Sequence, residues 1–133
     1  MRLPRLVLPL FALGCAPAGG DTGAPWGPVT VDTDGGHFRL DLSLEPDPPV
    51  VGESLLVVDT VDAEGAAVSA TLTLAQWMPA HGHGAADDPS FRELGDGGVS
   101  ADLTWSMPGS WELQLEVSHD GTVDQVVVPV EVQ

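Results

Sequence analysis

The chain contains no lysine, and its 4 basic residues, all arginine, face 20 Asp and Glu. Arg2 and Arg5 precede every acidic residue, so from Cys15 onward only Arg39 and Arg92 oppose that acidity. A surface of one sign repels phosphate backbones and anionic headgroups, which discounts nucleic acid and bare lipid surfaces as partners. Solubility alone is a sufficient reason for such a surface, and it also gathers cations loosely. Cysteine is nearly absent too. Cys15 is the single one, so no disulfide can staple a core within the chain. No apolar run is long enough to cross a bilayer as a stable helix. There is no Gly-rich phosphate loop between a strand and a helix, and no Ser-His-Asp set identifiable by spacing. Carboxylates are too plentiful to mark a catalytic pair. These absences leave little support for an enzyme.

What is present begins with "MRLPRLVLPLFALGC". Two arginines, the apolar run Leu6–Leu13 and the small Gly14 read as a signal for export over residues 1–14. An unpaired cysteine in an exported chain needs a reason. "ALGC" resembles the lipobox of bacterial lipoproteins, in which cleavage precedes a cysteine that receives lipid. Leucine usually stands three residues before that cysteine, whereas Ala12 stands there here. The expectation is a lipid on Cys15 that attaches the protein to a membrane. Ala16 is not the aspartate of an inner-membrane retention signal, so an outer-membrane anchor facing the periplasm or the exterior is expected. Ordinary cleavage nearby is the alternative. Residues 15–28 are rich in Ala, Gly and Pro and read as a tether. Trp26 interrupts it, either docked on the domain edge or exposed.

From residue 29 to residue 133 the apolar residues alternate. "HFRLDLSL" places Phe38, Leu40, Leu42 and Leu44 on one face. "SLLVVDTV" is nearly continuous in apolar character and so reads as a central strand. "AVSATLTLAQW", "VSADLTW", "SWELQLEV" and "VDQVVVPVEV" follow, and "PVTVDT" precedes them. Asp120-Gly121 is a two-residue hairpin signal. The "MPG" between Trp105 and Trp111 suits a tight turn. Pro129 places its strand at a sheet edge. About seven strands, no convincing helix and an apolar fraction of 43% predict an antiparallel, immunoglobulin-like β-sandwich whose core rests on Leu, Val and Trp.

The segment 79–89 reads as a loop, and the candidate site lies at its start. "WMPAHGHG" holds Met78, His81 and His83. Imidazole nitrogens suit copper, zinc and nickel, and a thioether suits Cu(I). Residues i and i+2 point to one side of an extended chain, and Gly82 lets the loop curl. Met107 stands in a second "MP" dipeptide and could join the histidines if the two turns share an end of the sandwich. Against a metal site, Met78 and Met107 could be core fillers beside Trp77 and Trp105, with solvated histidines. His37 and His119 read as surface groups, and Asp87 and Asp88 as a solvated loop face.

"WMPAHGHG" followed by "VSADLTWSMPGSWELQLEV" resembles the YtkA-like domain, which is related to FixH-like proteins. "VGESLLVVDTVDAEGAAV" resembles its early strands. The resemblance spans roughly Phe38 to Val132. It implies an exported immunoglobulin-like sandwich associated with metal or copper handling at the cell envelope. Met78, His83 and Met107 match recurring family residues. His81 stands where a methionine is usual in "MPxMxHG", which would favour Cu(II) or zinc over pure Cu(I) selectivity. Two functions follow. One is an envelope lipoprotein that binds copper, less so zinc, as chaperone, buffer or accessory. The other is a structural or interaction module that contacts an envelope protein without metal.

Overall fold

The computed structural model describes residues 24–85 and 88–133. The expected signal and Cys15, the tether through residue 23, and Asp87 lie outside the described residues. Among the described residues, nine strands form two antiparallel sheets. One sheet runs β1 (Val29–Asp32), β2 (Phe38–Glu45), β3 (Gly52–Asp62), β7 (Val99–Trp105) and β6 (Phe91–Glu93). The other runs β5 (His83–Gly84), β4 (Thr71–Met78), β8 (Gly109–His119) and β9 (Thr122–Val132). The fold is an all-β sandwich of the immunoglobulin-like kind, as the alternation predicts.

Seven of the nine strands coincide with the apolar runs. Inward rows from both sheets meet between them: Phe38, Leu40, Leu42 and Leu44 from β2, and Trp111, Leu113, Leu115 and Val117 from β8, are all buried. Their outward neighbours are polar, which is why one face of each strand can meet water. The two further strands, β5 and β6, have 2 and 3 residues. β5 interrupts the segment 79–89 that the sequence reads as a loop, and β6 lies just beyond it.

β3 is central, between β2 and β7, as its apolar character suggests. Its run is not buried on both faces, however. Leu56 and Val58 point inward, whereas Leu55 is 36% exposed. The β8–β9 hairpin turns at Asp120-Gly121, with φ of 50° and 79°. Both central residues carry positive φ, the condition of the two-residue turn that matches strand twist.

The "MPG" connection is not a tight turn between neighbouring strands of one sheet. β7 belongs to the five-stranded sheet and β8 to the four-stranded one, so residues 106–108 carry the chain across the sandwich. A tight-turn composition sets a local bend. Which sheet receives the next strand depends on the whole inward row.

β9 is an edge strand, as Pro129 predicts, and its outer side is capped. Pro129 has no N–H to offer, and its carbonyl accepts the Trp26 indole N–H at 2.9 Å. The Gln125 carbonyl accepts the Asp34 N–H at 2.8 Å. Trp26 is thus docked on the domain edge. Its own N–H and that of Gly27 both donate to the Asp47 carboxylate, at 2.6 and 3.1 Å. Covering free N–H and C=O groups in this way blocks edge-to-edge pairing.

Candidate functional site

The last turn of β4 decides where the "WMPAHGHG" side chains go. Strand alternation sends Leu72, Leu74, Gln76 and Met78 inward and Trp77 outward. Met78 is 1% exposed, and Trp77 is 36% exposed. Past Met78 the chain folds back on itself. The N–H groups of His81 and Gly82 both donate to the Met78 carbonyl, at 3.2 and 2.9 Å. Gly82 takes φ of 64°, which a residue with a Cβ rarely adopts. The returning His83–Gly84 then pairs with Met78–Trp77 as β5. The loop is therefore a short hairpin, and its register sets His83 opposite Met78.

His81 and His83 are brought together. Their ring centroids lie 5.7 Å apart at 51°. The His83 ring stands edge-on to Trp111, 6.0 Å away at 78°, and Trp111 stands edge-on to Trp105 at 5.5 Å. Four rings thus run in series from the exposed loop into the core. The indole donors of both tryptophans are satisfied. Trp105 donates to Ser54 Oγ at 2.9 Å, and Trp111 donates to the Met107 carbonyl at 3.1 Å. Trp111 is accordingly the shared neighbour of the histidine hairpin and the Met107 crossover. The two turns do occupy one end of the sandwich.

The methionines are less available than the histidines. The Met78 methyl lies where a Cβ on Gly109 would meet it at 3.1 Å, so the thioether end fills the space beside that glycine. Met107 is half-buried and packs against the core. His83 Nδ1 sits 3.1 Å from its neighbour's carbonyl on Gly84. With Nδ1 as the donor, Nε2 is left as the acceptor nitrogen. Among the described residues, no three His, Cys, Asp or Glu side chains form a group that could hold an ion. His37 and His119 lie at the opposite end of the strands from the histidine hairpin.

Two polar features escaped the sequence reading. Gln76 occupies an inward position at 3% exposure, where it donates from Nε2 to the Thr104 carbonyl of the other sheet at 3.2 Å. Asp124, the first inward residue of β9, clamps the β1–β2 turn. It accepts from Thr33 Oγ1 at 2.7 Å and from the N–H groups of Gly35 and His37. The Thr33 hydroxyl first, and the N–H groups of Gln125, Gly35 and His37 after it, hold this carboxylate down to about 2 against the opposing effect of burial. Sequence patterning marks Asp124 only as an acidic residue in an apolar run. Its partners on the β1–β2 turn are 87 to 91 residues away.

The model of the family described as YtkA-like matches residues 32–116. The chain belongs to the YtkA-like family. The matched span runs from the last residue of β1 through most of β8, and so contains both "MP" turns. YtkA-like domains are non-catalytic modules, generally periplasmic or envelope-associated. A crystal structure of a DUF4426 family protein from Pseudomonas aeruginosa is similar in fold, with a TM-score of 0.59 at 13% identity. The likeness covers 77% of this chain and 94% of that one. At that identity it shows the fold alone. No curated protein matches the sequence. Among the described residues, no helix is long and apolar enough to cross a membrane.

Proposed function

We propose that this chain is a non-catalytic YtkA-like module of the cell envelope that contacts a protein partner through the histidine-hairpin end of its sandwich. The observation that carries this reading is the division of labour at the end of β4. Met78, at 1% exposure, fills the core, while Trp77, at 36%, is offered to the surface. Large amphipathic aromatics at a surface are the usual anchors of protein contacts. In this reading the signal ends at Gly14, acylated Cys15 holds the protein in the outer membrane, facing the periplasm or exterior, and residues 16–28 are the tether. The test is a photo-crosslinking side chain at Ala80, compared with one at Val123, in native envelopes. An adduct at Ala80 that is lost in Trp77→Ala is expected. No adduct at Ala80, or equal adducts at both positions, sinks the reading.

One observation favours a second reading, copper binding, with zinc the lesser choice. Two imidazoles sharing one ion at ~2.0–2.1 Å per nitrogen place their centroids roughly 5–6 Å apart. The 5.7 Å between His81 and His83 fits that span. The histidines fit as a two-nitrogen site with open positions. Met78 and Met107 would have to leave their packing to join them. A bound ion would supply a Lewis-acidic, transferable cargo site, and the Gly84 carbonyl would orient the His83 ring. Titrating the full chain with Cu(II), and with Cu(I) under reductant, tests this. Affinity equal to that of a His81→Ala/His83→Ala variant would overturn it.

A further inference from the structure

The edges of the two sheets are not guarded alike. β9 carries Pro129 and is capped by Trp26 and Asp34. β1 has 4 residues and ends on Asp32, and β6 has 3, of which Arg92 and Glu93 are charged. Short length, charge and proline are the usual defences of a sheet edge. β4 has 8 residues with neither charge nor proline, in a chain that carries 20 Asp and Glu. Its partner on the outer side, β5, covers only Trp77 and Met78, and the Ala85 N–H reaches the Gln76 carbonyl. Among the described residues, no strand pairs with residues 71–75 on that side.

The register shows what this open stretch offers. Glu112 pairs with Trp77 on one side and with Pro129 on the other. Pro129 has no N–H, and its carbonyl is turned outward to Trp26, so the hydrogen-bonding groups of Glu112 face Trp77. Alternation along β4 then turns the N–H and C=O of Thr71, Thr73 and Ala75 toward β8, and those of Leu72 and Leu74 away from it. Both leucine side chains point into the core, so at this edge the two residues present backbone. A groove of about 600 Å³ passes them, with Pro89 and Phe91 across it and Asp88 and Glu116 on its sides. Carried further, the β5 register would set Pro89 against Leu72, where proline has no N–H to give.

We infer that the open edge of β4 accepts an extended segment of a partner protein as an added antiparallel strand. Its aliphatic side chains turn toward Phe91, and lysine or arginine side chains between them turn toward Glu116. Strand addition satisfies the outward N–H and C=O groups of Leu72 and Leu74. Neither described arginine lines the groove, so its two carboxylates favour a basic segment. A cleft of this size admits one extended chain. A second copy would bring its own segment around Pro89 and the same carboxylates, and like charge opposes it. The inference goes beyond the contact at Trp77, because it uses the backbone of Leu72 and Leu74 and not the indole.

The probe is a short peptide alternating valine and lysine, titrated into the full chain with residue-resolved amide exchange. Binding should be saturable. It should slow exchange at Leu72 and Leu74 but not at Val127, whose N–H faces the β9 edge. In an antiparallel addition the valine N–H groups meet β4, because valine side chains share the inward face of the two leucines. N-methylation of the valines should therefore weaken binding about tenfold or more, and N-methylation of the lysines should not. Glu116→Lys should weaken it several-fold. No binding, slowed exchange at Val127 instead, any other order of the methylated peptides, or indifference to Glu116→Lys overturns the inference. Trp77→Ala should leave peptide binding intact. Loss of binding in that folded variant would give the contact to the hairpin and overturn the edge site. Peptide binding at Leu72 and Leu74 without an Ala80 adduct in envelopes would support the edge site and sink only the hairpin reading.

Discussion

Substituting Met78 separates packing from ligation. The side chain is 1% exposed, on the inward row of β4, with its methyl against Gly109. Met78→Ala leaves a cavity at the junction of β4 and β8, and large-to-small changes at such sites cost about 2–5 kcal/mol. In a domain of this size that lowers Tm by roughly 10–20 °C. Met78→Leu keeps volume and apolar character, so it costs less than about 1.5 kcal/mol, yet it removes the sulfur. Thermal unfolding followed by circular dichroism reads both. The Ala variant should melt far below the Leu variant, and the Leu variant near the native chain with its Ala80 crosslink intact. An Ala variant within about 0.5 kcal/mol of native would refute the packing role. A Leu variant that folds but loses the crosslink would refute the claim that the thioether is not needed for contact.

Asp124→Asn should lower Tm at neutral pH. The native carboxylate titrates at about 2 in the fold, below its ordinary value. Its stabilisation is therefore complete above about pH 4 and lost as pH falls toward 2, so the native chain should lose Tm across that window and the Asn variant should lose less. Trp26→Phe keeps a ring but removes the donor to Pro129, so it should cost about 1 kcal/mol, read by denaturant unfolding at neutral pH. Mass spectrometry of the native N-terminus should find an acylated Cys15, and a free terminus elsewhere would refute the anchor. Gly109→Ala should destabilise by about 1–3 kcal/mol in a urea melt, because φ is +131° and the new Cβ meets Met78.

Much of the fold was legible because its cause is local. Phe38 to Leu44 and Trp111 to Val117 alternate cleanly, and Asp120-Gly121 carries the dihedrals its turn needs. The two-residue β5 and three-residue β6 were not legible, since a period cannot be read from so few positions. Leu55 shows the limit of composition. An apolar run looks fully buried until the neighbouring sheet covers only one face. The 106–108 crossover and the Asp124 clamp depend on partners far along the chain, which no local pattern encodes. At the candidate site the pairing of His81 with His83 was readable from their spacing. The burial of Met78 follows from the alternation of β4, which also sends Leu72 and Leu74 inward, and core filling is one of the two roles its sequence context allows. The link to Met107 through Trp111 needed the tertiary structure.

The central claim is that the histidine-hairpin end meets a protein without the help of a metal ion. The most direct measurement is the Ala80 photo-crosslink in native envelopes, run once after exhaustive chelation and once after loading with copper. The same adduct at the same yield is expected in both. An adduct that forms only with copper would contradict it and give the hairpin to the ion.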